Sequence, residues 1–131
     1  MAALYSSAGL RIMGKGLEHE EVSRKLGLVP SHTHHAGELD KFGAPYPQDM
    51  WLLESPLGKR KHLDTHLKWL GQQLKPSLGQ LKTLKKKYKI DVFCTYTGEG
   101  DGGLSLSPAA LSIFPDLGIK LELSIILLRP K

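Results

Sequence analysis

A long row of leucines in the middle of the chain does most to limit its fold. Between residues 63 and 84, leucines recur every three or four positions, and Tyr88 continues the row. That spacing places the apolar side chains on one side of an α-helix, so the segment needs an apolar surface to pack against. Pro76 interrupts the row, and a proline inside a helix removes a hydrogen bond and clashes with the preceding turn. The sequence therefore predicts two helices, or one sharply kinked helix, meeting near residues 75–77.

Several other segments alternate apolar and polar residues, which is the pattern of strands that bury one face. They are residues 4–14, MWLLESP from Met50, residues 90–97, LSLS at 104–107, and residues 119–128. The glycine-rich stretch TGEGDGG, from Thr97, is predicted to join the third and fourth of these strands in a hairpin. Because this turn joins two strands and carries Glu99 and Asp101, we do not expect it to bind phosphate.

Two further helices are predicted from the residues at their ends. LEHEEVSRKLG, from Leu17, has acidic residues in its first turn, and Gly27 follows its last leucine. AALSIFPDLG begins after Ser107, which is predicted to cap it, with Pro108 in the first helical position. The element order is then β-α-β-α-α-β-β-α-β in one α+β domain, residues 1–131. We predict a mainly antiparallel sheet of about five strands with helices packed on one face, a split βαβ or ferredoxin-like arrangement.

The composition is that of a soluble protein. Apolar residues make up 40 % of the chain, and the longest apolar run, IILL at 125–128, is too short to cross a bilayer. The N-terminal stretch lacks the basic and apolar regions of a signal peptide. The single cysteine, Cys94, excludes an internal disulfide and is predicted to be a small buried residue of its strand. We therefore expect a cytoplasmic protein that does not enter membranes.

The order of these landmarks resembles a bacterial family catalogued as domain of unknown function 4279. The residues that carry the resemblance are LRIMG near the start, LGLVP after the first helix, Gly37, WLLESP, the leucine row broken at Pro76, and LSLSPAALSIFPDLGIKLELSI. It covers the chain from about Leu10 to Ile126. The resemblance implies an architecture and no activity, so it carries over no catalytic residue. SHTHH stands where the family has mixed polar residues.

Three histidines crowd a long segment, residues 29–50, that has no apolar periodicity and is predicted to be a loop. Zinc takes three or four ligands, often two from one short segment and the rest from elsewhere. The histidines that could supply them are His32, His34, His35, His62 and His66. No HExxH or CxxC spacing accompanies them, and a solvated polar loop explains the cluster more simply. Zinc is thus an alternative, and we predict no cofactor.

The net charge is +5, and the densest basic run lies near residue 85. One set of lysines could share a helical face and contact phosphates: Lys75, Lys82, Lys86 and Lys89. No aromatic motif for base stacking accompanies them, so a solvated helix face is the simpler interpretation. Nucleic-acid binding is a weak alternative.

We find no coherent set of catalytic residues and predict a non-enzymatic binding module of unknown partner. Loops held on a rigid scaffold often carry recognition, and the loop 29–50 offers residues typical of contact surfaces. Its candidate contact residues are His32, His34, His35, Phe42, Tyr46 and Trp51. The partner would be a protein or small ligand, by analogy with small immunity proteins in size and class alone. The alternative is a metal-dependent hydrolase or metal sensor using the histidines. Dimerisation through an exposed sheet edge is also expected to be feasible.

Overall fold

A computed structural model of the chain describes residues 3–99 and 103–128. The strands in this part of the chain are β1 (Ala3–Gly14), β2 (His32–His34), β3 (Asp49–Glu54), β4 (Lys89–Glu99) and β5 (Leu121–Leu128). The helices are α1 (His19–Leu26), α2 (Leu63–Leu74), α3 (Leu78–Lys85), α4 (Pro108–Leu111) and α5 (Ile113–Leu117).

The strands form one sheet in the order β2-β3-β1-β4-β5. Strand β1 is antiparallel to both β3 and β4, and β2 is antiparallel to β3. Strands β3 and β4 therefore run parallel on either side of β1 and are joined by α2 and α3, while β1 and β2 flank β3 and are joined by α1. These are two split βαβ units, which confirms the predicted α+β, ferredoxin-like arrangement. Strand β5 extends the sheet beside β4 in parallel, so the sheet is mixed.

Two of the predicted elements are wrong. The segment predicted as a loop contains β2, whose residues His32–His34 pair with β3. The predicted strand at 104–107 does not form, whereas Ser107 caps α4 as predicted, accepting a hydrogen bond from the Ala110 N–H at 3.2 Å. Residues 100–102 of the predicted glycine-rich turn lie outside the described residues. The place beside β4 that LSLS was expected to fill is taken by β5.

The leucine row packs as its spacing predicts. Leu67, Leu70 and Leu74 of α2 are fully buried against the sheet, beside Leu10 and Ile12 of β1. The helix breaks at a short 3-10 turn, Lys75–Ser77, where Pro76 was expected to interrupt it. The Ser77 hydroxyl donates to the Leu26 carbonyl at 2.9 Å, so this break also ties α1 to the helix pair. Gly27 then ends α1 in the left-handed conformation, with φ of 65°.

The opposite face of the sheet is held by one charged network. Arg11 donates to both carboxylate oxygens of Asp91 at 2.8 Å and to Glu122 at 2.8 Å. Its guanidinium carbon also lies 4.6 Å from the centre of the Phe93 ring. Asp91 is fully buried, so its charge depends on Arg11 for compensation. Because Arg11, Asp91 and Glu122 lie on different strands, the network joins β1, β4 and β5.

None of the helices in the described residues is long and apolar enough to cross a bilayer. Cys94 is a free thiol that is fully buried on the helix-covered face of β4, as predicted. Burial raises the pKa of this thiol to about 12, so it stays protonated at neutral pH.

The Arg11–Asp91 pair gives a test of the sheet. Arg11→Met leaves the Asp91 carboxylate buried without a partner, and we expect it to lower the free energy of unfolding by about 2–3 kcal/mol. Arg11→Met combined with Asp91→Leu removes both charges and should recover most of that loss. Urea denaturation of both variants measures the difference. A single variant as stable as the unmodified chain would show that the pair does not hold the sheet.

Candidate functional site: the histidine-rich hairpin

The candidate site is the hairpin that runs from β2 through residues 35–48 to β3, called here the β2–β3 hairpin. Backbone hydrogen bonds hold residues 35–48, which connect the two strands, in a defined conformation. The Gly37 N–H donates to the Tyr46 carbonyl and the Tyr46 N–H donates to the Glu38 carbonyl, each at 2.9 Å. Leu39 and Pro45 form an antiparallel bridge beyond them. The chain therefore projects as a second, narrower antiparallel ladder.

The tip of the β2–β3 hairpin, residues 39–45, is closed by Asp40. The Asp40 carboxylate accepts from the N–H groups of Phe42 at 2.8 Å and Ala44 at 3.0 Å, and its backbone N–H donates to the Ala44 carbonyl. Gly43 supplies the positive φ, 83°, that the turn requires. These bonds hold Phe42 in the open, with 84 % of its surface exposed, and Leu39 with 67 % exposed. Two large apolar side chains are thus exposed at a tip whose backbone is fixed by hydrogen bonds.

Tyr46 and two histidines form the base of the hairpin. The rings of His34 and Tyr46 stack 3.5 Å apart and within 6° of parallel. His34 is the buried member of this stack. Its Nδ1 lies 3.0 Å from Nε2 of the exposed His32. The pKa of His34 is lowered by burial first and by the neighbouring His32 second, against a raising effect of the Gln48 backbone. The neutral form of His34 is therefore favoured, and the stack acts as packing.

His35 points into a different environment. Its ring meets the edge of the His19 ring at 4.6 Å, and its Nδ1 lies 3.9 Å from the Asp49 carboxylate. The Nε2 of His19 lies 3.0 Å from the carbonyls of both His34 and Met50, so it must be the donor to them. His19 thereby fastens α1 to the β2–β3 hairpin.

Asp49 completes the attachment of the hairpin. It accepts from the N–H groups of Ala36 at 2.7 Å and Leu17 at 3.1 Å. These two bonds, that of Ala36 foremost, hold the pKa of Asp49 below its usual value. The carboxylate therefore secures the start of the connection and the start of α1 together.

The structure does not gather the proposed zinc ligands. His32 and His34 face each other, whereas His35 turns toward His19. The other two predicted ligands belong to α2: His62 precedes its first residue, and His66 is buried in its first turns. Among residues 3–99 and 103–128, no three His, Cys, Asp or Glu side chains lie close enough to hold a metal ion. Zinc binding is thus without geometric support in these residues.

A buried serine–histidine pair escaped the sequence analysis. The Ser55 hydroxyl lies 2.7 Å from Nδ1 of His66 and also accepts from the Leu57 N–H at 3.3 Å. Burial is the main cause that lowers the pKa of His66, and it outweighs the raising effect of the Gly58 and Lys61 backbone. Both side chains are buried, so the pair anchors the segment between β3 and α2 and offers no exposed nucleophile.

Trp51 is a core residue and not a contact residue, which corrects its assignment to the binding loop. It is fully buried on the helix-covered face of β3, and its indole N–H donates to the Ser23 hydroxyl at 2.9 Å. The reason is the alternation of the strands. His32 and His34 flank Thr33, which is the residue that pairs with Trp51, so they project from the opposite face. Of the other predicted contacts, Phe42 is 84 % exposed.

The predicted lysine stripe is not one helical face. Lys75 lies in the 3-10 turn, Lys82 lies in α3, Lys86 follows α3, and Lys89 begins β4. All four are exposed, but only Lys82 and Lys86 are one helical turn apart. Lys85, which lies between them, donates to the Leu117 carbonyl at 3.0 Å and so caps α5. Nucleic-acid binding along this surface remains a prediction.

A broad open groove of about 800 Å³ lies between α1 and the β2–β3 hairpin. Its walls mix charges, with Glu20 and Arg24 on α1 facing Thr33 and His35 of the hairpin side. The groove adjoins the base of the hairpin.

These features define an α+β domain with ferredoxin-like topology, an additional parallel edge strand and a projecting hairpin. Residues 3–128 match the model of the family described as Domain of unknown function (DUF4279). The chain belongs to this family, as the order of its sequence landmarks indicates. No curated protein and no solved structure matches the chain.

The buried histidines predict a pH dependence of stability. Burial lowers the pKa of both His34 and His66, so the folded chain binds protons there more weakly than the unfolded chain, whose histidine pKa is about 6.5. Stability should be complete above about pH 6.5 and should fall as the pH drops toward the folded pKa. We expect the melting temperature to fall between about pH 7.5 and pH 5.5. His34→Gln should flatten that dependence. An unchanged dependence in His34→Gln would contradict the assignment.

Zinc provides a second test. Because no three of the predicted ligand histidines converge among the described residues, we expect one equivalent of zinc to leave the melting temperature unchanged and EDTA not to lower it. Elemental analysis of untagged protein should find less than stoichiometric metal. A zinc-induced rise that His32→Asn with His34→Asn abolishes would show a metal site at the hairpin.

Proposed function

We propose that this protein is a non-enzymatic binding module of the cytoplasm that contacts a partner protein through the tip of the β2–β3 hairpin. The observation that carries the proposal is the exposure of Leu39 and Phe42 on a turn fixed by hydrogen bonds. Single exposed apolar residues are ordinary, but two large ones on one ordered tip are suited to an apolar pocket of a partner.

The rigidity of the tip supports a binding role. Binding costs less conformational entropy when the contacting side chains are already held in place. Asp40 fixes the turn, Tyr46 is stacked on His34, and Asp49 and His19 fasten the base to α1. None of these attachments uses the side chain of Leu39 or Phe42, so both side chains are free to be covered by a partner.

The surroundings of the nucleophilic side chains also favour binding over catalysis. Ser55 and Cys94 are buried, and burial keeps the Cys94 thiol protonated. A cytoplasmic location is consistent with this thiol, which is the chain's one cysteine.

The test compares apolar-to-serine substitutions at the tip with one at an exposed position elsewhere. Leu39→Ser with Phe42→Ser removes the apolar tip, while Val29→Ser removes a residue that is also 84 % exposed but lies before β2. A partner captured by the unmodified chain from its native host, identified by mass spectrometry and then purified, should bind the tip variant at least about tenfold more weakly. Isothermal titration calorimetry gives the dissociation constants.

The Val29→Ser variant should bind like the unmodified chain, and both variants should keep its melting temperature because the substituted side chains are exposed. Undiminished binding by the tip variant would overturn the proposal. A loss of binding shared equally by Val29→Ser would also overturn it, since the contact would then not reside in the tip.

A further inference from the structure

The outer strand β5 ends in a run of exposed apolar side chains. Ile125, Ile126, Leu127 and Leu128 are 53 %, 55 %, 58 % and 44 % exposed. Leu121 and Leu123, earlier in the same strand, pack against the hydrophobic core beneath the helices. The strand thus continues past its packed portion, and its alternating side chains place apolar surface on both faces of the sheet.

The backbone groups of β5 that face outward can be assigned from its pairing with β4. The Val92 N–H donates to the Lys120 carbonyl at 3.1 Å, and Val92 is in register with Leu121. In a parallel ladder the bonding direction alternates along the strand, so even-numbered residues bond to β4. The N–H and C=O groups of residues 121, 123, 125 and 127 therefore point to the outer edge.

The two edges of the sheet differ in their protection. Strand β2 has three residues and is continuous with the ordered hairpin, which is a common way of blunting an edge. Strand β5 has eight residues, without proline and with regular pairing to β4. Its one charge, Glu122, is engaged by Arg11 at 2.8 Å and Lys120 at 3.6 Å. A long regular apolar edge of this kind is a template for another strand.

We infer that β5 pairs with β5 of a second copy of this chain, antiparallel and about a twofold axis. Partners in an antiparallel pair share a face, so residues of equal parity must face each other. Centring the pair on Ile125 places Leu123 opposite Leu127 and keeps every residue from 122 to 128 opposite a residue of the same range. Centring it on Ile126 would instead place Glu122 and Leu123 opposite positions outside β5, which would shorten the pairing.

The Ile125-centred register also suits the charges and the hydrogen bonds. Each Glu122 faces a Leu128 rather than the other Glu122, so like charges lie at opposite ends of the interface. The outward groups of residues 123, 125 and 127 meet one another as hydrogen-bonded pairs. The exposed Leu127 of each copy covers the partly buried Leu123 of the other. An identical strand meets all of these requirements at once, which is why the occupant is a second copy.

The interface is at the small end of the range for specific association, since a few half-exposed aliphatic side chains bury less than the roughly 800 Å² per partner of a standard interface. We therefore expect a concentration-dependent dimer. Analytical ultracentrifugation from about 5 to 500 μM should show the unmodified chain shifting from monomer to dimer. Ile125→Lys places a charge at the twofold axis and should leave a monomer, whereas Val29→Lys, equally basic and exposed elsewhere, should dimerise normally.

Cross-linking tests the register independently of any effect of the lysine. Ile125→Cys places two thiols across the twofold axis, at the spacing of an antiparallel pair and within the range of a disulfide. Mild oxidation should give one covalent dimer at a dimerising concentration, while Ser124→Cys, offset from its own copy, should not. Cys94 is buried and does not compete.

A chain that stays monomeric up to 500 μM would overturn the inference. So would a dimer that survives Ile125→Lys and is not trapped through Ile125→Cys. The hairpin tip lies at the other edge of the sheet, so the Leu39 and Phe42 substitutions should not alter dimerisation, and the two proposals fail separately.

Discussion

The packing of the leucine-lined helices on the central strand β1 is the contact on which the rest of the fold depends. Strand β1 bonds to β3 on one side and to β4 on the other, and α2 lies across its buried face. Because both edges and one face are occupied, only its second face can carry charge. Arg11 uses that face to reach Asp91 and Glu122. The hairpin extends from β3 and β5 pairs with β4, and both β3 and β4 are held in place by pairing with β1.

Features of the fold that depend on local chemistry could be predicted from the sequence. Leucine spacing gave the buried face of α2 and α3, Pro76 gave the break between them, and Ser107 with Pro108 gave the start of α4. Strand β2 could not be predicted in the same way, because its three residues are extended only through pairing with β3. The LSLS stretch has the alternation of a strand, but the Ser107 N–H donates to Asp64 at 2.6 Å, which holds the segment at the start of α2.

The sequence predicts the location of the candidate site but not the roles of its side chains. Its histidines were predicted as possible ligands, yet two of them serve as packing: His34 stacks on Tyr46, and His35 packs against His19. Leu39 was overlooked because a lone leucine in a polar stretch has no periodic signal. The Asp40–Gly43 spacing, typical of a tight turn, was the available indication that Leu39 and Phe42 lie at a tip. The Ser55–His66 contact links different elements and has no sequence signature.

The order of strands has a consequence for valency. The hairpin begins from one outer strand, β2, and the opposite outer strand is β5. Two copies joined at β5 would form one continuous sheet with a hairpin tip at each far end, separated by on the order of 40 Å at the usual strand spacing. Such a particle can engage two sites of one target, so that the second contact forms at a high effective concentration. A modest affinity at each tip would then become strong attachment to a repeating or symmetric partner, and weak attachment to a single-site one.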